Sequence, residues 1–155
     1  EHFAKLTEEI RPAITRDHPG AGAAGGLGFA FLAYTNAKLE SGIDMVLQES
    51  GVEAYIRESD FVITGEGKLD EQTAMGKAPI GVAGLAKLYN KPVIAFSGAA
   101  GENAKICNEK GIDAFFPIVR KPVSAEEAMD TENAKKNMAD TAEQVFRLIR
   151  AVRKQ

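Results

Sequence analysis

Three runs of continuous apolar residues constrain this chain most: Phe61-Val62-Ile63-Thr64, Pro92-Val93-Ile94-Ala95-Phe96 and Ala114-Phe115-Phe116-Pro117-Ile118. A strand with one wet face alternates apolar and polar residues. A run without alternation has to be covered on both faces, as in a parallel sheet between helical layers. Helical patterns lie between the runs. Pro79 suits the first turn of a helix reaching about Tyr89, and a second helix from about Glu102 to Lys110 is closed by Gly111. Near the end of the chain, Met138, Ala142, Val145, Ile149 and Val152 recur at spacings of three and four. With Thr131 as N-cap they predict an amphipathic helix of about six turns that covers one sheet face.

Upstream, Ser41 and Asp44 resemble a capping arrangement for a helix over Gly42 to Glu49, which Gly51 ends before a short helix reaching Arg57. Ser124 and Glu127 suggest another short helix. From residue 42 onward helices and strands therefore alternate, which predicts a doubly wound, three-layer α/β/α unit of Rossmann-like type, with parallel strands and right-handed crossovers. Small α/β domains usually have more than three strands, so the first strand is expected to want a neighbour that this chain does not supply. Before residue 40 the pattern is helical, with Phe3, Leu6 and Ile10 on one predicted helix and Leu27, Phe31 and Tyr34 on another.

Composition narrows the class. A length of 155 residues allows one domain, or one with a small attachment, and 45% hydrophobic against 26% charged residues excludes disorder, collagen and a coiled coil. No apolar run is long enough for a membrane span, and EHFAKLTEEI lacks the plan of a signal peptide, so a cytoplasmic protein without a membrane partner is expected. Cys107 stands alone and makes no spaced zinc set with His2 and His18. Residues 40 to 73 carry nine acids against Arg57 and Lys68, and residues 132 to 155 carry six bases against three acids. No aromatics interleave with the basic residues of the last helix, so it reads as a solvated face and no nucleic-acid partner is expected.

Three glycine-rich stretches could carry chemistry. Pro19 to Gly28 runs into the helix that starts near Leu27, and Gly20, Gly22 and Gly25 match G-x-G-x-x-G literally. No strand precedes them, so a dinucleotide site is weakly supported. Backbone N–H groups around Gly20, Gly22, Gly25 and Gly26 suit an anion, with close helix packing as the plainer reading. His18 is a candidate pocket residue or an exposed loop histidine. The second stretch, Thr64 to Pro79, leaves the C-terminal end of a strand, the edge at which open α/β sheets bind ligands. Its acids, bases, hydroxyl and amide favour a binding loop over a structural one. Glu71 and Ala78 exclude a Walker A loop around Gly76-Lys77. The third, Ser97 to Glu102 with Gly98, either cradles a phosphate or turns the chain tightly. There is no Gly-x-Ser-x-Gly elbow, and neither histidine has a neighbouring nucleophile and acid.

PGAGAAGGLG, SGIDMVL, DFVITGEGKLDEQTAMGKAPIGVAGLAK, KPVIAFSGAAG and GIDAFFPI, in that order and spacing, resemble the C-terminal part of bacterial glycerate kinases of the glycerate 2-kinase class. The resemblance covers nearly the whole chain. Lys68 stands where that family often has Arg, which keeps the charge and loses the bidentate fork. Family members are much longer, with an Asp-Ser-Phe-Lys-Gly type motif near their N-terminus and a second α/β domain inserted into a Rossmann-like one. The resemblance implies that residues 1 to 39, with the glycine-rich loop, are the helical end of the inserted domain, and residues 40 to 155 the C-terminal half of the Rossmann-like domain.

It also implies phosphoryl transfer from ATP to D-glycerate with Mg²⁺, giving 2-phosphoglycerate or 3-phosphoglycerate. That chemistry asks a protein mainly for positioning and charge neutralisation. Asp70 is then the general base or a Mg²⁺-linked acid, and Glu66 can exchange roles with it. Lys68 and Lys77 neutralise phosphate or the substrate carboxylate, and Gln72 and Thr73 orient the substrate beside Gly65 and Gly67. Gly20, Gly22, Gly25, Gly26 and Gly98 offer backbone donors to anionic groups, with His18 nearby. Rival readings are a non-catalytic nucleotide- or anion-binding module and an inactive truncation product. In the latter the open half-sheet promotes dimerisation or strand exchange.

Overall fold

The computed structural model describes residues 1 to 153. In chain order the described elements are α1 (His2–Ile10), α2 (Ala23–Tyr34), α3 (Gly42–Ser50), α4 (Val52–Glu58), β1 (Val62–Leu69), α5 (Glu71–Ala74), α6 (Ala78–Leu88), β2 (Val93–Ala100), α7 (Ile106–Glu109), β3 (Ala114–Pro117), α8 (Ala125–Met129) and α9 (Thr131–Val152). They form two compact units, Glu1–Val46 and Leu47–Gln155, divided within α3. No described helix is long and apolar enough to cross a membrane.

In the first unit, Ala21, Phe29 and Ala33 are buried with Ala4, Ile14 and Leu32 packed against them. Phe3 meets Phe29 edge to face, with ring centroids 6.1 Å apart. The two helices expected here are present, but the face predicted for α2 is not the buried one: Leu27, Phe31 and Tyr34 are each about half exposed. The segment is apolar on every side, so its spacing could not choose a face. Gly28 chooses it, because a Cβ there would collide with the Gly20 carbonyl oxygen and lie 3.3 Å from that of Ala21. Only a bare backbone allows that approach, and it turns Phe29 and Ala33 inward. On α1 the buried residue is Thr7, whose hydroxyl is hydrogen-bonded to the Tyr34 hydroxyl at 3.1 Å.

Arg16 pins the following turn to α1 through Glu8, whose carboxylate accepts from the Arg16 guanidinium and, at 2.8 Å, from the Arg16 backbone N–H. The guanidinium, with that backbone bond, lowers the Glu8 pKa from 4.5 to about 2. A lowered carboxylate pKa stabilises the fold above the unfolded value and loses that contribution as pH falls through the folded one. Glu8→Gln is therefore expected to flatten the acid limb of a stability-versus-pH curve between 4.5 and about 2. Chemical denaturation across that range checks it, and an unchanged limb would assign the pair no role.

The second unit is built on a parallel sheet in the order β1-β2-β3, with Val62 opposite Val93 and Ile94 opposite Ala114. One face is covered by α4, α6 and α7, where Ile56, Ala83, Ala86 and Cys107 enclose Val62, Leu69, Val93 and Ala95. On the other, Val145, Ala142 and Ile149 of α9 pack on Phe96 and Ile118. The three-layer arrangement expected from the apolar runs is thus present, and β1 has one paired neighbour among the described strands.

Several boundaries differ from expectation. β1 and β2 do not stop at Thr64 and Phe96 but stay paired through Leu69 and Ala100, so the polar glycine segments expected as loops are strand. Two glycines allow it: a Cβ on Gly65 would collide with the Phe96 carbonyl oxygen, and one on Gly98 would sit 2.6 Å from that of Gly67. The helix expected from Glu102 to Lys110 is reduced to α7 after a series of turns, while Gly111 takes the expected left-handed backbone at φ 105°. Asp130, not Thr131, caps α9: its carboxylate accepts from the Asn133 N–H at 2.9 Å, which places Thr131 at the first helical position. Ser124 caps α8 as expected, accepting from the Glu127 N–H at 3.1 Å. Gly51, at φ 63°, separates α3 from α4.

Candidate functional site

The polar end of β1 and the first turn of α5 form one cluster. Leu69, fully buried, anchors the strand end, and the next residue turns the chain into α5. Asp70 is the N-cap. Its Oδ1 accepts from the N–H groups of Gln72 and Thr73 at 3.0 and 3.3 Å, while its own N–H donates to Thr73 Oγ1 at 3.1 Å. This reciprocal box locks the carboxylate in place. Thr73 is fully buried and donates its hydroxyl proton to Glu66 Oε1. Lys68 Nζ lies 3.5 Å from Asp70 Oδ2. Glu66, Lys68, Asp70 and Thr73 are thereby brought together at the C-terminal edge of the sheet.

Burial acts to raise the Asp70 pKa, but the two backbone N–H donors and the Lys68 ammonium outweigh it and hold the carboxyl below its ordinary value. Asp70 is therefore a charged, weakly basic carboxylate at neutral pH. Its Oδ2 faces only the Lys68 ammonium, so it is the atom open to a further cation or a hydroxyl. No group of three His, Cys, Asp or Glu side chains suited to a metal occurs among the described residues. Mg²⁺, however, is commonly held by one or two carboxylates plus substrate phosphates, and Asp70 with Glu66 fits that donor set.

Three neighbours of this corner were not assigned individually from sequence, although Gly101 and Ser97 fall in the Ser97 to Glu102 stretch. Gly101 donates its N–H to the Leu69 carbonyl at 2.8 Å and would place a Cβ 3.2 Å from that of Asp70, so its small size sets how closely β2 approaches the cap. The Cys107 thiol, fully buried, donates to the Asp70 carbonyl at 3.7 Å; burial first, then the nearby Glu66 and Asp70 charges, push its pKa up. Ser97 pairs with Glu66 in the β1–β2 register and is 1% exposed, and its hydroxyl has no partner. A serine or cysteine inside an apolar strand or helix pattern carries no local mark of such a role.

The other expected site residues are placed as follows. Gln72 and Lys77 are exposed, Lys77 at the N-cap of α6. Thr73, expected to orient substrate, is fully buried, its hydroxyl donating to Glu66 and accepting from the Asp70 N–H. Gly65 and Gly98 lie within paired strands, where close backbone contact already requires them, while Gly67 has open space where a Cβ would be. In the first unit, Gly20, Ala24, Gly25 and Gly26 all have positive φ, so the regular part of α2 starts at Leu27 as expected. Gly22, Gly25 and Gly26 border open space. Turn bonds already commit the N–H groups of Ala21, Ala23 and Gly26, which leaves fewer donors for an anion than the glycine count suggests. His18 Nδ1 is 2.8 Å from the Pro19 carbonyl oxygen on the exposed side of this loop.

Replacing Thr73 by Val keeps the shape and removes one donor and one acceptor from a buried site. The expected cost is about 1–3 kcal/mol, because Glu66 and the Asp70 N–H both lose a partner. Urea unfolding measures it, and a change below about 0.5 kcal/mol would show that water replaces the hydroxyl freely.

An acid-and-lysine cluster at the C-terminal edge of a parallel, helix-covered sheet stands where open α/β proteins bind their ligands, and comparison with known proteins narrows the class. Residues 1–150 match the model of the glycerate kinase family. The chain is 46% identical over 143 residues to a glycerate kinase of Halalkalibacterium halodurans, covering 89% of this chain and 38% of that protein. It is 44% identical to a glycerate kinase of Bacillus subtilis, covering 93% and 37%, and 41% identical to a glycerate 2-kinase of Escherichia coli, covering 82% and 33%. Among solved structures, one described as glycerate kinase 2 of Salmonella typhimurium LT2 superposes with a TM-score of 0.70 at 38% identity, over 99% of this chain and 39% of that one. This chain belongs to the glycerate kinase family. It spans 33 to 38% of the length of these curated relatives.

Proposed function

We propose that this chain supplies the acid-and-lysine half of a glycerate kinase site, at which the γ-phosphoryl group of ATP passes to a hydroxyl of D-glycerate to give 2-phosphoglycerate and ADP. The observation that carries the reading is the Glu66–Thr73–Asp70–Lys68 constellation, preorganised by a capping box at the ligand-binding edge of the sheet. Preorganised charge and position are what phosphoryl transfer asks of a protein.

The geometry supports one role for each residue. Asp70, with its lowered pKa, is a poor proton acceptor and a good fixed anion, which suits it to a Mg²⁺-linked phosphate. Mg²⁺, when bound, would neutralise phosphate charge there. Glu66 has one oxygen committed to Thr73 and the other left to accept the substrate hydroxyl proton. Lys68, with a 61% exposed side chain, reaches outward to a phosphate or to the substrate carboxylate, and Lys77 adds a second cation at the start of α6. The chain alone is proposed to lack turnover, since it spans so little of its relatives' length.

A phosphorus NMR time course with ATP, Mg²⁺ and D-glycerate tests the reading, run on a polypeptide of the relatives' full length that carries this chain. A new 2-phosphate signal is the expected result. A 3-phosphate signal would keep the kinase and correct the product. Unchanged ATP and glycerate would overturn the reading in favour of a non-catalytic anion-binding module.

A further inference from the structure

A second feature of the same sheet edge extends beyond the acid-and-lysine cluster. Within the second unit, a groove of about 1100 Å³ lies beside the ends of β1 and β2. Its floor includes Gly65, Gly67 and Gly98, so backbone rather than side chains meets whatever lies there. Its walls are apolar, with Ile63, Phe96 and Ile118 from the sheet side and Met129 and Met138 from α8 and α9. Ligand sites of this size are typically apolar with a few polar groups at the rim.

The rim supplies those groups. Residues 119 to 123 form an irregular segment between β3 and α8, of which Val119, Lys121, Pro122 and Val123 line the groove. Among the described residues, the N–H groups of Val119, Lys121 and Val123 have no hydrogen-bond partner, whereas the preceding Ile118 N–H donates to the Ser97 carbonyl at 2.8 Å. Val119 and Val123 are half-exposed, so their N–H groups stay within reach of water or of the edge groups of a ligand in the apolar slot. Lys121, with a 76% exposed side chain, adds a cation. Glu66 joins the two regions, since it lines the groove and accepts from Thr73 in the cluster.

We infer that this groove takes the adenosine part of the nucleotide, the flat base lying between the glycine floor and the methionine wall with its polar edge toward the 119–123 segment. The polyphosphate then leaves the groove past Glu66 toward Lys68 and Asp70. The inference rests on the kinase reading and adds the site of its nucleoside.

The test uses the chain itself, with ATP, adenosine and inorganic tripolyphosphate titrated by calorimetry. Ala128→Trp fills the groove from α8. It is expected to raise the dissociation constants of ATP and adenosine by about tenfold or more and to leave that of tripolyphosphate unchanged. The chain has no tryptophan, so Met138→Trp provides a second, reporting variant on α9 whose fluorescence should change on adding adenosine, even where Ala128→Trp fails to fold. Equal ATP affinity in the parent chain and Ala128→Trp would overturn the inference and leave the kinase reading intact. So would a parent chain that binds tripolyphosphate but not adenosine. A change of sedimentation in both variants, without adenosine binding to the parent chain, would give the groove to a second copy and also overturn it. Adenosine binding combined with no phosphoryl transfer in the NMR experiment would instead sink the kinase reading.

Discussion

Asp70→Asn is expected to lower phosphoryl transfer by at least about a hundredfold, the lower end of what a positioned proton-transfer or charge-stabilising carboxylate contributes. Asparagine is also a favoured N-cap, so Oδ1 can still accept from the Gln72 and Thr73 N–H groups and the first turn of α5 survives. What is lost is the negative charge facing Lys68. The substitution therefore separates charge from architecture. Turnover of a full-length polypeptide is compared with its melting temperature, and with the Mg²⁺ concentration needed for half-maximal rate. A higher Mg²⁺ requirement would mark Asp70 as the metal-linked acid. An unchanged requirement with a shifted pH profile would make it the base, and near-normal turnover would remove it from the site. The acid limb of the rate profile adds a check of sign: a carboxyl held below its ordinary value stays ionised as pH falls, so activity that depends on the Asp70 charge should persist below its unperturbed 3.8 wherever the fold does.

Gly65→Ala carries the second large effect, on folding. A Cβ at this position would collide with the Phe96 carbonyl oxygen, an atom of the β1–β2 ladder that cannot rotate away as a side chain could. Overpacking of cores usually costs about 1–3 kcal/mol, and a clash with fixed backbone in the central pairing belongs at or above the top of that range. Because β1 and β2 hold the whole cluster, the loss should appear as global destabilisation in urea unfolding together with loss of the site. Gly67→Ala, with open space at the same atom, serves as the control and should cost well under half as much. Equal effects would mean that the two glycines act through chain entropy rather than through packing.

The strand, helix and turn signals that depend on neighbours along the chain were legible. Continuous apolar runs marked β1, β2 and β3, Pro79 the start of α6, Gly51 and Gly111 two helix ends, and Ser124 a cap. The motif from Gly65 to Pro79, read together with the first glycine-rich stretch, led to the family that the comparisons show. Glu66, Lys68 and Asp70 were expected as candidates because the stretch after the Phe61–Thr64 run carries acids, bases, a hydroxyl and an amide, a composition that favours a binding loop over a structural one.

Those signals share a physical basis: backbone preferences and apolar periodicity act over a few residues, so the sequence alone determined the elements, their order and the chemistry available at the sheet edge. Other outcomes depend on atoms far apart in the chain. Phe96 and Gly67 decide that Gly65 and Gly98 belong to strands and not to loops, and Gly20 decides which side of an all-apolar α2 turns inward. Glu66 decides where the buried Thr73 hydroxyl donates, to a carboxylate seven residues back at the strand end. Only tertiary structure settles these, because a glycine's missing Cβ and a hydroxyl's single proton acquire meaning from the particular group that packing places against them.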